Sequence, residues 1–102
     1  MTEIEVQSSG EEIDAAIGDR IVIRIPENAT TGYRWVVAEL PQTLEVTSDE
    51  LLPAASQRPG AGGERRVALT VQGVGVAHVV LSLERPWENE AADRFELSIT
   101  VS

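Results

Sequence analysis

Hydrophobic and polar residues alternate with a period of two along most of the chain, which is typical of half-buried β-strands rather than helices. The alternating hydrophobic positions are Ile4 and Val6; Ile21, Ile23 and Ile25; Val67, Leu69 and Val71; Val79, Leu81 and Leu83; and Phe95, Leu97, Ile99 and Val101. Only the segment GEEIDAA at 10–16 could be helical, and it is too short and too closely bounded by glycine to favour a helix. We therefore expect an all-β protein.

Turn-rich intervals separate these segments: SSGEE at 8–12, PENATTG at 26–32, SQRPGAGGE at 56–64 and RPWENEAAD at 85–93. The short QGVG at 72–75 predicts a hairpin between the two strands that flank it. About seven to nine short strands at this spacing predict an antiparallel β-sandwich, with a barrel as the alternative. Trp35 favours an immunoglobulin-like sandwich, because a tryptophan at the start of the third strand commonly fills the space between the sheets.

The length and the charge limit the possible classes of function. A chain of 102 residues is expected to form one domain, 1–102. Its net charge is −9 and all its basic residues are arginines, of which only Arg65 and Arg66 lie side by side, next to Glu64. Nucleic-acid binding is therefore disfavoured, because phosphate contacts need clustered basic residues.

No apolar run is long enough to span a membrane, and no signal peptide is visible. We therefore expect no membrane partner, and we expect the protein to be a monomer. The compartment stays open: the protein is cytoplasmic if Met1 is the native start, and periplasmic or secreted if this is a mature chain.

The sequence offers little for catalysis. The absence of cysteine excludes disulfides, thiolate metal sites and a thiol nucleophile. The single histidine, His78, lies within a strand segment, and no G-x-S-x-G motif accompanies it, so we interpret it as a surface or internally paired residue. The acidic residues are scattered and form no calcium-binding loop. We predict no catalytic residue, no metal and no cofactor, and an enzymatic role is the weakest interpretation.

Three of the turn-rich intervals contain residues that a turn does not require. In NATTGYRW at 28–35, Asn28 and Gly32 suit special backbone angles, whereas Thr30 and Thr31 place two stiff, hydroxyl-bearing side chains at a loop tip. These threonines could face a partner, or they could simply bond to their own backbone.

In GAGG, from Gly60 to Gly63, the lack of side chains exposes the main-chain N–H and C=O groups to a binding partner. The segment is not a phosphate-binding loop, because it lacks the following Lys and Ser/Thr and enters a strand. A flexible connector is the alternative.

In RPW, Trp87 follows Pro86 among charged residues and has no apolar neighbours in the sequence. An exposed tryptophan of this kind is a typical anchor for a protein partner, and a lid folded back on the core is the alternative. In an immunoglobulin-like sandwich the loops that carry these three intervals lie at one end. We expect them to form one surface.

These motifs, in this order, resemble the chagasin-type inhibitors of papain-like cysteine proteases. The family pattern is Asn-Pro-Thr-Thr-Gly-Tyr/Phe-x-Trp, then Gly-x-Gly-Gly, then Arg-Pro-Trp, and it corresponds here to NATTGYRW, GAGG and RPW. Each motif is weak alone, but three in order across most of the chain are specific. The resemblance implies an immunoglobulin-like inhibitor that binds reversibly and tightly, inserting three loops into the protease cleft without reacting.

The resemblance also implies roles for individual residues. Thr30 and Thr31 would lie over the catalytic Cys-His pair of the protease, and the glycine loop would bind the unprimed side through its main chain. Trp87 would stack on aromatic surface at the primed side, held by Arg85 and Pro86, and Arg85 could also bond across the interface. Tyr33 and Trp35 would mainly support the loop base, with Trp35 in the core. The expected protease-binding residues are Asn28, Ala29, Thr30, Thr31, Gly32, Tyr33, Gly60, Ala61, Gly62, Gly63, Arg85, Pro86 and Trp87.

One position departs from the family pattern, because Ala29 stands where proline is usual. Proline would restrict the unbound loop, so alanine should cost about 0.4 to 1 kcal/mol of preorganisation. A different class of function remains open from the sequence: an immunoglobulin-like adhesion or assembly module that binds a non-protease protein through the same loops.

Overall fold

The computed structural model of the chain describes residues 2–28, 31–52 and 63–102. Its eight strands are β1 Glu3–Val6, β2 Glu11–Ala15, β3 Arg20–Glu27, β4 Arg34–Glu39, β5 Leu44–Leu52, β6 Gly63–Val71, β7 Gly75–Glu84 and β8 Asp93–Val101. The segment 10–16 contributes β2 and not a helix. Among the described residues there is no helix long and apolar enough to cross a membrane.

The strands form two four-stranded sheets with the orders β1-β3-β6-β5 and β2-β8-β7-β4. Lettered in the immunoglobulin manner, the first sheet is A-B-E-D and the second is built around G-F-C, with the extra strand β2 at its edge. This arrangement confirms the predicted immunoglobulin-like sandwich.

Two of the strand pairings are parallel, which the sequence did not predict. β1 pairs with β3 and β2 pairs with β8 in parallel, whereas the other pairings between described strands are antiparallel. The reason is that every connection reverses the chain, so odd-numbered strands run one way and even-numbered strands the other. A pairing between two odd or two even strands is therefore parallel. The sandwich is mixed, not purely antiparallel.

The hairpin predicted at QGVG is wrong. β6 belongs to the first sheet and β7 to the second, so residues 72–74 carry the chain from one sheet to the other. The backbone N–H groups of Gln72 and Gly73 donate to the carbonyl oxygen of Thr43, which anchors this crossing to the β4–β5 connection. A short glycine-containing turn between two apolar segments looks the same in sequence whether it joins neighbours in one sheet or crosses between sheets.

The core lies between the two sheets and is made of the alternating positions found in the sequence. The fully buried members include Ile21, Ile23, Leu69, Leu81, Leu97 and Ile99. Trp35 is 8% exposed and packs in the same cluster, which confirms its predicted place. Its ring Nε1 donates to the carbonyl oxygen of Pro26 at 3.0 Å, so the indole nitrogen is paired in its partly buried position.

The alternating strand directions place the predicted loops at one end of the sandwich. β3, β5 and β7 all finish at this end, and β4, β6 and β8 all start there. We call it the loop end, and it comprises the β3–β4 loop (28–33), the strand ends at Leu52 and Gly63, and the β7–β8 loop (85–92). The connections β2–β3 and β6–β7 lie at the opposite end.

Candidate functional site

The β7–β8 loop begins with a tight turn that presents a tryptophan. The backbone N–H of Glu88 donates to the carbonyl oxygen of Arg85 at 3.1 Å, which closes a four-residue turn with Pro86 at its second position. Proline suits this position because its ring fixes the backbone angle that such turns use. Trp87 comes next and is 69% exposed. The alternative in which Trp87 covers the core is thereby excluded.

The guanidinium group of Arg85 joins this turn to the β3–β4 loop. Its central carbon lies 3.9 Å from the centre of the Tyr33 ring and 5.7 Å from that of Trp87, so the cation stacks on the tyrosine and lies near the tryptophan. Its Nε donates to the carbonyl oxygen of Thr31 at 3.1 Å. Its Nη1 pairs with Glu88 at 2.9 Å, and Glu88 also accepts from the Tyr33 hydroxyl. Arg85 therefore fixes two loops against each other.

Gly32 lies against the indole ring of Trp87. Its φ of 80° lies in the left-handed region, as expected for the bend in NATTG. A Cβ atom at this position would lie 2.6 Å from Cη2 of Trp87, which is closer than real Cβ contacts. Any larger residue would strain the backbone here and displace the indole ring that lies against Gly32.

Thr31 uses its hydroxyl within its own loop. Its Oγ1 donates to the carbonyl oxygen of Asn28 at 2.8 Å and accepts from the backbone N–H of Tyr33 at 3.3 Å. The alternative in which a threonine of this loop bonds to its own backbone therefore holds for Thr31, although the residue itself is exposed. Ala29 and Thr30 lie outside the described residues.

The glycine-rich segment is described only at its last residue. Gly60, Ala61 and Gly62 lie outside the described residues, whereas Gly63 begins β6 and pairs with Glu27 at the end of β3. A Cβ atom on Gly63 would lie 2.4 Å from the carbonyl oxygen of Leu52, the last residue of β5. Glycine lets the two strand ends that flank this segment approach closely, beside the start of the β3–β4 loop.

The two aromatic residues of NATTGYRW have different surroundings. Trp35 is in the core, as predicted. Tyr33 is half-buried, and its described partners are Arg85 and Glu88 of the β7–β8 loop. It supports the loop end by bridging two loops, and not by entering the sandwich.

A buried ion pair at the loop end was missed by the sequence analysis. Glu27 is 3% exposed and pairs with Arg65 at 2.7 Å. A signal was present, because Glu27 continues the core-facing row Ile21, Ile23, Ile25, and Arg65 precedes Val67 in the matching row of β6. Two residues of opposite charge at core-facing positions of neighbouring strands predict a buried ion pair.

The single histidine, His78, lies on the outer face of the second sheet with Glu96 and Ser98 beside it. The side chain of His78 is 49% exposed; its Nδ1 lies 3.3 Å from Oγ of Ser98, and its Nε2 lies 3.8 Å from Glu96. These residues belong to the paired strands β7 and β8, and the backbone N–H of Glu96 donates to Oγ of Ser9 at 3.0 Å. Within the described ranges, no three acidic or histidine side chains gather to hold a metal ion.

An exposed tryptophan on a loop that is fixed against a second loop of an immunoglobulin-like sandwich is typical of a protein-binding surface. The chain belongs to the chagasin family: the family model described as "Chagasin family peptidase inhibitor I42" matches residues 14–101. This membership confirms the resemblance found in the sequence and makes the chain a peptidase inhibitor, not an enzyme.

Relatives of known sequence agree with this assignment. The chain is 30% identical to chagasin of Trypanosoma cruzi over 90 residues, which cover 83% of this chain and 82% of the relative. It is 36% identical to amoebiasin-1 of Entamoeba histolytica over 93 residues, covering 87% and 88%.

Solved structures share the fold. The crystal structure of EhICP2, a cysteine protease inhibitor from Entamoeba histolytica, superposes with a TM-score of 0.88 at 24% identity and covers 99% of this chain and 96% of that one. PbICP-C, solved in complex with falcipain-2, superposes with a TM-score of 0.77 at 16% identity over the full length of both chains.

Proposed function

We propose that this chain is a reversible, tight-binding inhibitor of papain-like cysteine proteases that blocks the active-site cleft with its loop end. Family membership supports the inhibitory activity. The target class is supported by the solved relatives, one described as a cysteine protease inhibitor and another bound to falcipain-2. The chain would act as one inhibitor domain, 1–102, and as a monomer.

The observation that carries the proposal is the exposure of Trp87 on a pre-ordered support. An indole that is 69% exposed, next to a cation stacked on Tyr33, presents a large apolar surface whose position is set before binding. Rigid aromatic anchors dominate the binding energy of protein interfaces, because they bury much area for little loss of conformational freedom. Trp87 would stack on the primed side of the cleft, with Arg85 and Pro86 holding it.

The β3–β4 loop is suited to blocking a catalytic centre without being cleaved. The backbone N–H and the hydroxyl of Thr31 both bond to the carbonyl oxygen of Asn28, and Gly32 follows with its positive φ. This keeps the loop in a bend, whereas extended peptides bind with their main chain open to pairing. The tip at Thr30 and Thr31 would thus cover the catalytic pair without presenting an extended peptide for attack.

The remaining predicted site residues complete the proposed interface. The segment Gly60, Ala61, Gly62 and Gly63 would bind the unprimed side through its main chain. Asn28 and Tyr33 would support the tip of the β3–β4 loop at its two ends. Ala29, in place of the family proline, would lower the affinity by the freedom that the unbound loop keeps.

The test is to titrate papain and a panel of related cysteine proteases with the purified protein, and to repeat the titration with Trp87→Ala. We expect stoichiometric inhibition by the wild type. Loss of the anchor should weaken binding by about 2 kcal/mol or more, roughly thirtyfold in the inhibition constant.

The matched control is Val76→Ala. Val76 is 80% exposed on β7, near the end of the sandwich opposite the loops, so its truncation removes exposed apolar surface but should leave inhibition unchanged. If the wild type inhibits none of the proteases at micromolar concentration, the proposed function is wrong, and binding of a non-protease partner through the same loops becomes the better explanation.

A further inference from the structure

A pair of opposite charges closes the core at the loop end. The side chain of Glu27 is 1% exposed and that of Arg65 is 14% exposed. Both occupy core-facing positions, one at the end of β3 and one near the start of β6. The apolar core thus ends in a buried ion pair on the side from which the proposed protease-binding loops emerge.

The contacts of this pair form a connected network. Oε2 of Glu27 accepts from Nη2 of Arg65 at 2.7 Å, and Oε1 accepts from Nε at 3.2 Å, so the pair is two-pronged. Oε1 of Glu27 also accepts the backbone N–H of Trp35. Nη1 of Arg65 extends the network to Oδ1 of Asp49 on β5, at 3.1 Å. We call these four residues the root network.

The root network joins both ends of two loops. Glu27 directly precedes the β3–β4 loop, and Trp35 follows it. Asp49 lies near the end of β5, and Arg65 near the start of β6, so this pair flanks the segment 53–62. Because β3 and β4 belong to different sheets, the bond from Trp35 to Glu27 also ties the two sheets together at this end.

A β-bulge makes the Asp49 contact possible. The register of β5 against β6 shifts between Val46 and Ser48, so Asp49 instead of Ser48 stands opposite Val67, in the core-facing row. The extra residue changes which side chains face inward for the rest of the strand. It brings a carboxylate to the side of the sheet on which the Arg65 side chain lies.

Stabilisation of the fold does not by itself explain why a buried ion pair occupies this position. The cost of removing two charges from water largely offsets their attraction, and well-packed apolar residues often serve a core as well or better. What a two-pronged arginine–carboxylate contact supplies is a fixed distance and orientation. The hydrogen bond to Glu27 raises the pKa of Arg65, although burial acts to lower it, so the arginine keeps its charge.

We propose that Glu27 and Arg65 are positioning residues for inhibition: they fix the strand ends from which the β3–β4 loop and the segment 53–62 leave the sandwich. This inference rests on the proposed function, since neither buried side chain would touch the protease. Loosening the pair leaves loops that must be ordered on binding, and the affinity falls by that ordering cost.

The experiment compares Glu27→Gln with Glu64→Gln as a matched control. Glu64 also pairs with two arginines, Arg24 and Arg66 at 3.0 Å each, but none of these contacts involves a residue of the root network. Chemical denaturation first establishes that both variants are fully folded under assay conditions. We then expect Glu27→Gln to raise the inhibition constant for papain about tenfold, and Glu64→Gln to leave it within about twofold.

A second measurement does not depend on any protease. The backbone N–H of Thr31 bonds within the β3–β4 loop to Asn28, so its hydrogen exchange reports the order of that loop. We expect exchange at Thr31 to be faster in Glu27→Gln than in the wild type and unchanged in Glu64→Gln. Arg65→Lys, which keeps the charge but loses the fork, should give intermediate values and serves if Glu27→Gln does not fold.

The outcomes separate the two proposals. If the wild type inhibits and Glu27→Gln inhibits equally well with unchanged exchange, the positioning inference is wrong while the proposed function stands. If the wild type inhibits no protease but exchange at Thr31 still rises in Glu27→Gln alone, the proposed function is wrong and the root network is still what orders the loop.

Discussion

Arg85 has interactions with Thr31, Tyr33, Glu88 and Trp87, all within its own chain. The resemblance implies that this residue holds Trp87 and could also bond across the interface, and the contacts within the chain are those expected of a residue that supports Trp87. The consequence is energetic, because side chains that are already held in the free protein lose less freedom when a partner binds. The site is thus ordered by contacts between the two loops, among them the contact between Gly32 and the Trp87 ring.

Replacing Gly32 tests its contact with the Trp87 ring. In Gly32→Ala the new Cβ would meet the Trp87 ring at 2.6 Å, so the indole must move away from its support. The left-handed backbone adds about 1 kcal/mol of strain for any residue with a Cβ. We expect a loss of about 1 kcal/mol in the free energy of unfolding and at least a tenfold rise in the inhibition constant, measured by denaturation and by titration of papain.

Gly18→Ala is the control, because it introduces the same backbone strain without a contact to Trp87. Gly18 has a similar φ of 91°, but nothing lies within 4 Å of the position its Cβ would take, and it is in the β2–β3 turn at the end opposite the loops. This variant should lose a similar amount of stability and none of its inhibition. Equal inhibition by Gly32→Ala and Gly18→Ala would mean that the placement of Trp87 against Gly32 does not matter.

At the scale of single strands, β5 departs from regular geometry at one point. Val46 faces Leu69 and Ser48 faces Ala68, so one residue between them, Thr47, has no partner of its own in the register. Its described side-chain contact is a hydrogen bond of 3.3 Å to the carbonyl oxygen of Ala68. A surplus residue in one strand should be removable without changing which side chains face the core.

Deleting Thr47 should therefore be tolerated. Val46 and Ser48 would become neighbours opposite Leu69 and Ala68, which is the regular register, and Asp49 would keep its place beside Arg65. We expect a folded protein that has lost about 1 kcal/mol, as for one hydrogen bond, by urea denaturation.

Deleting Ala68 from β6 is the control. This strand is paired on both sides and has no surplus residue at that point, so the deletion would turn core-facing side chains on one side of it outward. It should prevent folding. If both deletions were equally damaging, Thr47 would not be a surplus residue.

The same local features decide how much could be predicted from the sequence. Alternation identified the core-facing rows because burial follows a period of two, and Trp35 indicated the sandwich. The hairpin at 72–75 was wrong because a short turn does not reveal whether the next strand stays in the same sheet. The bulge at Thr47 and the pairing of Glu27 with Arg65 depend on registers between strands far apart in the chain, which periodicity within one strand cannot supply.

At the scale of the whole molecule, the chain has seventeen acidic residues and only eight arginines. Some of these carboxylates are stabilised in the folded state. Backbone N–H groups of Ala16 and Thr2 donate to Asp19 and lower the pKa of its carboxyl below the ordinary 3.8. Burial acts to raise the pKa of Glu64, but hydrogen bonds and charges from Arg24 and Arg66 outweigh it, so this pKa is lowered from the ordinary 4.5. Both shifts link the stability of the fold to pH.

The sign of this link follows from proton binding. A carboxyl whose pKa is lower in the folded state holds fewer protons folded than unfolded, so its stabilising contribution is present above the unfolded pKa and is lost as pH falls through the folded pKa. We therefore expect the free energy of unfolding contributed by Asp19 and Glu64 to decline from about pH 5 downward.

Protonation of acidic residues outside the ion pairs acts in the opposite direction, since it relieves repulsion in a chain of net charge −9. Comparison with a variant removes this shared effect. Urea denaturation at several pH values between about 7 and 3 should show a smaller decline for Asp19→Asn/Glu64→Gln than for the wild type, because the amides cannot titrate. Parallel curves for the two proteins would show that the acid sensitivity arises from other carboxylates, since the repulsion term changes with pH almost equally in both.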